Sequence, residues 1–452
     1  MDTKNDFSKG SVAKNIWSLA VPMTVAQLVN VLYSVVDRIY IGHIPEIGAK
    51  ALTGVGVCMP LILIVSAFAA LVGYGGAPRA SIAMGRKDNE AAEKILGNCF
   101  TVQILISVIL TVVLLIWNRD FLMAFGASEN TIGYANDYMT IYLLGTPFVL
   151  IGLGLNSFIN SQGFAKIGMM TVLLGAIVNI ILDPIFIFGL DLGVKGAAFA
   201  TVISQFISAL WTLRFLTGKK TILKIKKQYL SLKVKYVTKI ISLGMAGFMM
   251  AITNSIVTIV CNATLQQYGG DLYIAIMTII NSIREVASLP GQGMANACQP
   301  VLGFNYGAKE YARVLQGIKF VTLTALSMML IVWLAITVFP ELFIKIFSHN
   351  QEIITHGVSA LRLYFFGFFM MSFQMTGQAA AVGLGKSKQA VFFSIFRKVI
   401  IVAPLTVILP IYIGIDGVFI AEAISNFIGG GACYITMWFT IAKKLKSGII
   451  SE

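Results

Sequence analysis

Two aspartates inside apolar stretches are the residues of this sequence best suited to chemistry. Asp37 lies in LYSVVDRIYIG and Asp183 in VNIILDPIFIFG. An ionised carboxylate in hydrocarbon is costly, so an acid at such a position indicates function. Two close carboxyl groups of like charge favour holding a proton between them. The sequence therefore predicts a site for a proton or a small cation.

Other oxygen-bearing side chains are expected at the same depth as the two aspartates. Asn179 precedes Asp183 by one helical turn, and Tyr33 precedes Asp37 by the same distance. Oxygen ligands suit a proton or Na⁺. Later segments bring two more to this depth, Thr201 and Tyr138.

A structural explanation of the two acids stays open. Asp37 could pair with Arg38, and Asp183 could cap a helix break made by Pro184. We favour the coupling role because adjacent residues on a helix point apart.

The composition places these acids in a membrane protein. Of the 452 residues, 57% are hydrophobic and 12% are charged, against roughly 25% charged in soluble domains. The mean hydropathy is +0.83. In a soluble chain the net charge of +14 would indicate nucleic acid, but here the lipid bilayer is the expected partner.

Five isolated cysteines and three histidines argue against disulfides, a metal centre, a cofactor and an enzyme. We expect a monomer without nucleic acid.

Twelve stretches are apolar and long enough to cross a bilayer as helices, which takes about 20 residues each. They lie at about 15–41, 51–76, 95–117, 133–158, 168–188, 196–216, 240–266, 273–300, 316–339, 358–383, 391–413 and 417–441.

The linker 218–239 carries eight lysines and no acid, which predicts a solvated cytoplasmic segment. With the N-terminus inside, 27 of 34 basic residues fall in inner loops and flanks, five fall outside, and only Arg38 and Arg284 are embedded. Both termini are therefore predicted on the cytoplasmic side of the membrane.

The two halves of the chain repeat each other at an offset of about 222 residues. An all-α membrane fold follows, with twelve helices in two six-helix lobes related by a pseudo-twofold axis along the membrane normal. The lobes are predicted at 1–217 and 240–452. The aligned pairs are Gly76–Asp88 with Cys298–Glu310, Gly145 with Gly367, Gly163 with Gly385, and Gly196 with Gly417.

The second half lacks the paired aspartates but has two acids of its own in apolar segments. Glu285 could neutralise a cationic substrate or pair with Arg284, and Glu422 aligns with Thr201, where a structural pairing is slightly favoured. Pro22 could bend the first helix and gate the Asp37 site. Adaptable side chains that could line a central cleft, or simply pack, are Phe158, Met169, Met294, Phe373 and Met375.

These motifs together resemble the multidrug and toxic compound extrusion (MATE) family, over essentially the whole chain. The resemblance is carried by VDRIYIG, the loop GAPRASIAMGRKD, NIILDPIFIFG and GVKGAAFATVISQ. It implies two six-helix lobes that export organic cations in exchange for H⁺ or Na⁺. It also implies a coupling site at Asp37, Asn179, Asp183 and Thr201, with Tyr138 less firmly matched. Acids that another branch places in its seventh and tenth helices are missing, which favours the MepA-like bacterial branch.

The function expected on these grounds is secondary-active export by alternating access. The cargo would be dyes, quaternary ammonium compounds and fluoroquinolone-like drugs, in exchange for H⁺ or else Na⁺. The alternatives are a lipid-linked oligosaccharide flippase, which needs a strongly cationic cleft, and a facilitator-type symporter, whose loop signature is missing from GAPRASIAMGRKDN. A membrane-embedded transferase is less favoured because His43, His349 and His356 fall in outer loops away from the acids.

Overall fold

The computed structural model describes residues 6–447, and within them the chain is helical with no β-strand. The helices of the first half are α1 (Val12–Gly42), α2 (Gly48–Gly85), α3 (Asn89–Ile116), α4 (Asn118–Ala124), α5 (Ile132–Leu144), α6 (Thr146–Ser161), α7 (Ala165–Pro184) and α8 (Gly193–Thr217). Those of the second half are α9 (Val234–Gly307), α10 (Tyr311–Val338), α11 (Pro340–Lys345), α12 (Gln351–Phe365), α13 (Met371–Gly383), α14 (Ser387–Ile395), α15 (Ala403–Ile413), α16 (Asp416–Met437) and α17 (Lys443–Ser447). Short π-helical segments follow α7, α14 and α16, at Ile185–Gly189, Phe396–Val402 and Trp438–Ala442.

The number of membrane-spanning helices agrees with the twelve predicted. Ten helices of the described chain are long and apolar enough to span, and α5 with α6 makes an eleventh, bent by 58°. The 74-residue run α9 contains a break at Gly270, whose φ of 64° and ψ of −162° are not helical. Counting α9 as two spans gives twelve, so the all-α membrane fold is confirmed.

The backbone itself repeats at the offset found in the sequence. Left-handed conformations recur at Lys87 and Lys309, with φ of 61° and 63°. They recur again at Gly163 and Gly385, with φ of 88° and 71°. The short helices α4 and α11 also begin 222 residues apart. The turns that end equivalent helices are therefore conserved between the halves even where the side chains differ.

The described residues form two compact units. The first runs from Val21 to Gly244, and the second comprises Asp6–Ala20 together with the chain from Met245 onward. The apolar core of the first unit is built from α2, α5, α6 and α8, with side chains such as Leu61, Met139 and Leu150 fully buried. The core of the second gathers residues of α9, α10, α12 and α16. Each unit thus buries apolar side chains of its own.

The basic linker is packed against the first unit rather than fully solvated. Leu223 is completely buried, and the backbone N–H groups of Ile222 and Leu223 both donate to Gln162 Oε1 at 2.8 Å. Lys226 Nζ donates to Glu93 Oε2 at 2.5 Å, and this bond raises the pKa of Lys226 above its ordinary value. Six of the eight lysines nevertheless stay exposed, as a segment facing the cytoplasm would require.

Inside the first unit, α2 crosses the start of α9 through two glycines. A β-carbon on Gly244 would lie 1.7 Å from the carbonyl oxygen of Leu71. A β-carbon on Gly75 would lie 2.0 Å from the carbonyl oxygen of Ile240. Only glycine permits this backbone approach, which resembles the small-residue crossings of membrane helices in general.

We predict that Gly244→Ala destabilises the protein even though alanine is the better helix former. The overlap with a backbone oxygen has to be relieved by a helix shift, which costs about 1–3 kcal/mol. The apparent Tm in detergent, followed by intrinsic fluorescence, is expected to fall by several degrees. Gly56→Ala is the control, because a β-carbon there meets nothing within 4 Å. Equal Tm values for the two variants would contradict the crossing.

Candidate functional site

The paired aspartates are brought together in the first unit by α1 and α7. Asp183 is the last residue before Pro184 at the end of α7, and its side chain is fully buried. Asn179, one turn earlier and also fully buried, donates from Nδ2 to Asp183 Oδ1 at 3.2 Å. The helix then changes to π geometry at Ile185–Gly189, a local irregularity frequently found at functional sites.

Asp37 reaches the same point from α1. Its side chain is half-buried, and its carboxyl group lies within hydrogen-bonding reach of that of Asp183. Three buried oxygens at this point have no hydrogen-bond partner: Asp37 Oδ1, Asp183 Oδ2 and Asn179 Oδ1. Buried acceptors left unpaired are costly and need a donor or a cation. A shared proton or a bound cation would satisfy them.

Hydroxyl groups surround the carboxyl pair as the sequence predicted. Tyr138 of α5 is buried, lies close enough to Asp37 to feel its charge, and has its hydroxyl within hydrogen-bonding reach of Thr201. Tyr33 lies near both aspartates. The structure therefore gathers all six predicted coupling-site residues in one place.

The alternative pairing of Asp37 with Arg38 is not formed. Arg38 is exposed, and its Nη2 points to Met59 Sδ at 3.6 Å. Within residues 6–447 it makes no ion pair with Asp37. Also within that range, no three His, Cys, Asp or Glu side chains are grouped so as to hold a metal ion.

A small cavity with a mixed polar and apolar wall lies within the first unit, one helical turn along α1 from Asp37. Its volume is about 40 Å³, room for about two or three water molecules. Tyr33 lines the cavity and also lies near both aspartates, so it links the two features. The polar side chains of the wall are those of Asn30, Tyr33, Asn156, Thr171, Ser204, Gln205 and Ser208. The rest of the wall is formed by Leu153, Val172 and Ala176 and by two glycines, Gly152 and Gly175.

The second unit holds a different cluster at the corresponding helices. Glu422 of α16 forms buried ion pairs with Arg397 and with Lys398, whose Nζ lies 3.1 and 3.2 Å from the two carboxylate oxygens. Arg397 Nη1 also donates to Gln374 Oε1 at 2.9 Å. The structural pairing of Glu422 is thus observed.

The repeat explains how this cluster fits where the first unit has a cavity. Asn156 and Gln378, 222 residues apart, donate to the equivalent carbonyls of Gly168 and Ala390, which fixes the register. In that register the two cavity glycines are replaced by polar side chains, Gly152 by Gln374 and Gly175 by Arg397. The Arg397 side chain runs over Gly429, where a β-carbon would come within 2.9 Å of Cγ.

Sequence reasoning missed two of these basic residues. The count of basic residues places Arg397 and Lys398 with the inner flanks, because they are only the seventh and eighth residues of the eleventh apolar segment, yet their side chains are buried. The sequence did contain a clue to their burial: Glu422 lies in the middle of an apolar segment and requires a cationic partner at the same depth. Glu285, by contrast, is exposed and forms no ion pair with Arg284 in the described chain.

The proposed cleft residues divide by burial. Phe158 and Met294 are almost completely buried and, as placed, are not open to a ligand. The half-buried ones are Met169, Phe373 and Met375. Pro22 lies inside α1, which continues through it as a helix.

The sequence model of the MatE family matches two stretches of similar length, residues 22–185 and 246–408, one in each half of the chain. Together they cover most of the sequence. The chain belongs to the MatE family. Asp37 and Asp183 both lie inside the first matched stretch, so the carboxyl pair belongs to the part of the chain that the family model describes.

Curated relatives of this MatE chain are multidrug export proteins called MepA. Those of Staphylococcus saprophyticus subsp. saprophyticus and Staphylococcus haemolyticus are 26% and 25% identical. They cover 91% and 93% of this chain, and the matches span 90% and 93% of the relatives. The chain is therefore a homologue of bacterial transporters of the multidrug efflux type.

Solved structures support the same fold. A MATE protein in a bent conformation matches with a TM-score of 0.93 at 24% identity, covering 100% of both chains. An outward-facing multidrug resistance MATE transporter matches with a TM-score of 0.92 at 24% identity, covering 99% of both. The MatE chain is a multi-pass membrane protein of this architecture.

We predict that Glu422→Gln strongly destabilises the protein. Removing the carboxylate leaves Arg397 and Lys398 buried without a counter-charge, which costs about 3–5 kcal/mol for a buried pair. Thermal unfolding in detergent measures this loss. Glu341→Gln is the matched control, because Glu341 pairs with Lys345 at the surface, where an ion pair contributes at most about 1 kcal/mol. The double variant Glu422→Gln/Lys398→Met should recover part of the stability, and no recovery would argue against charge as the cause.

Proposed function

We propose that this MatE chain is a secondary-active antiporter that exports organic cations in exchange for protons. The observation that carries the proposal is the pair Asp37 and Asp183, in hydrogen-bonding reach of each other, with three unpaired oxygens between them and Asn179. An acid pair inside a membrane-spanning unit is typical of proton relays in transporters.

A proton fits this site better than Na⁺. Two carboxyl groups within hydrogen-bonding reach of each other retain a shared proton readily, because their negative charges repel. A single proton also turns one carboxyl group into a hydrogen-bond donor for the other. Na⁺ would also require the Thr201 hydroxyl as a ligand, and that group lies in reach of Tyr138. We therefore propose H⁺ as the coupling ion, with Na⁺ at Asp37, Asn179, Asp183 and Thr201 as the competing assignment.

The exchange follows from differential binding to two states. Protonation removes the repulsion between Asp37 and Asp183 and stabilises the arrangement in which α1 and α7 hold them together. A bound organic cation favours the state in which both carboxylates are charged. Each ligand shifts the equilibrium only through its difference in affinity for the two states, so proton and drug alternate rather than bind together.

The cargo class is proposed from the relatives and from the charge of the site. The MepA relatives are multidrug export proteins, and an acid pair attracts cations such as dyes, quaternary ammonium compounds and fluoroquinolone-like drugs. We place the protein as a monomer in the bacterial plasma membrane, with both termini and the lysine-rich linker in the cytoplasm. The anionic inner leaflet would attract those exposed lysines.

We predict that Asp183→Asn reduces ethidium transport in proteoliposomes to the rate of protein-free vesicles. Asparagine keeps the shape of the side chain but cannot exchange a proton. Asp37→Asn is expected to have the same effect. Asp137→Asn serves as the control, since Asp137 is exposed and pairs with Lys195 at 3.5 Å. Transport that survives in the double variant Asp37→Asn/Asp183→Asn would refute the coupling site.

We further predict that a pH gradient alone drives ethidium movement by the wild-type protein, whereas a Na⁺ gradient at equal pH does not. The two gradients are imposed separately on the same proteoliposome preparation, with ionophores to set the membrane potential to zero. Movement driven only by Na⁺ would assign Na⁺ as the coupling ion. If neither gradient drives movement, antiport is the wrong mechanism.

A further inference from the structure

Arg284 is a charged side chain of the second unit that the proposed cycle does not use. It lies in the part of α9 after the Gly270 break, about fourteen residues beyond it along a membrane-spanning helix. Its Nε is buried without a hydrogen-bond partner. Within residues 6–447 the guanidinium makes neither a hydrogen bond nor an ion pair. A cation in this position is costly unless something pairs with it.

The neighbours of Arg284 do not supply the missing negative charge. Arg284 interacts electrostatically with Tyr364, whose phenol is uncharged, and with Glu422, but Glu422 already forms ion pairs with Arg397 and Lys398. Three cations therefore share one buried carboxylate, and the cluster carries a net charge of +2 when all four groups are ionised. The adjacent Glu285 is exposed and forms no ion pair with Arg284 in the described chain.

The face of α9 that bears Arg284 is polar and partly exposed, although Ser288 within it is buried. Asn281, Arg284, Ser288 and Gln292 follow at helical spacing, and Gln292 Nε2 donates to Ser288 Oγ at 2.9 Å. Arg284 is half-buried and Gln292 is exposed. Amide and guanidinium groups avoid lipid at this depth and face the protein interior or a water-filled space. A solute could therefore approach the guanidinium.

We propose that Arg284 binds the carboxylate of a zwitterionic ligand, which makes the second unit a subsite for anionic groups. The planar guanidinium matches a carboxylate with two parallel hydrogen bonds, and the +2 cluster behind it favours a negative charge. The inference rests on the proposed function only in taking the ligand to be a transported solute. It gives the carboxylate of a doubly charged cargo, such as a fluoroquinolone-like drug, a partner separate from the aspartate pair.

The probes are two dyes that differ by one ester. Rhodamine 110 carries a free carboxylate beside its cationic ring system, and rhodamine 123 is its methyl ester. Binding to the full-length protein in detergent is followed by fluorescence polarisation at pH 7.4. Arg284→Gln is expected to weaken rhodamine 110 binding about tenfold or more, as loss of a charge-assisted hydrogen bond does, with rhodamine 123 changed less than twofold. Arg362→Gln is the matched control, because Arg362 of α12 is exposed in the same unit and should alter neither dye.

A second variant and a salt series keep the test decisive. Arg284→Lys keeps the charge but loses the planar fork, so it should also weaken rhodamine 110 more than rhodamine 123, including in the event that Arg284→Gln does not fold. Replacing chloride by methanesulfonate, which has no carboxylate, at constant ionic strength tests a small inorganic anion. If chloride is the occupant, its removal tightens rhodamine 110 binding by the wild type but does not affect Arg284→Gln.

The outcomes separate this proposal from the antiport mechanism. Equal weakening of both dyes in the Arg284 variants, or no weakening, overturns the carboxylate subsite. Rhodamine 123 transport that still depends on Asp183 would show in that case that export itself stands. Conversely, loss of Asp183 dependence with a preserved difference between the dyes overturns the coupling site and leaves the carboxylate subsite intact.

Discussion

The constraint on which this protein depends is that hydrocarbon offers no partner to a charge. Every ionised group within the membrane-spanning helices has to be paired, hydrated or occupied by a ligand. Glu422 meets the requirement internally, through Arg397 and Lys398. Asp37 and Asp183 do not, because their nearest polar neighbours leave three oxygens unpaired. Glu422 is thus a paired structural charge, whereas Asp37 and Asp183 are left with the unpaired oxygens on which the proposed exchange rests.

The two repeats of the chain differ in this respect at equivalent positions. Gly175 lines a cavity in the first unit, and its counterpart Arg397 fills the corresponding space in the second. Hydrogen bonds donated by the side-chain amides of Asn156 and Gln378 keep the helix ends in the same register. The backbone turns are therefore shared by the two copies, while the unpaired carboxyl oxygens lie in the first copy and the buried ion pairs in the second.

Much of the coupling site could be predicted because its contacts are partly local. Asn179 and Asp183 are one helical turn apart, so their hydrogen bond follows from spacing alone. The burial of Arg397 and Lys398 could not be predicted from charge counting, since basic residues near a segment end are usually taken as flanking. The packed linker was missed for a similar reason: its lysines indicated solvation, whereas Gln162 and Glu93, far away in sequence, hold its backbone and Lys226.

In the proposed exchange, the location of Asp37 and Asp183 on different helices is what would let a proton change the contact between those helices. If both acids lay on α7, protonation would change charge without changing any helix contact. With Asp37 on α1, a shared proton is also a bond between α1 and α7, and its loss replaces that bond with repulsion. Tyr33, one turn before Asp37, lines the cavity of the first unit, so any shift of α1 also changes the shape of that cavity. Proton release and ligand accommodation are thereby tied to one helix.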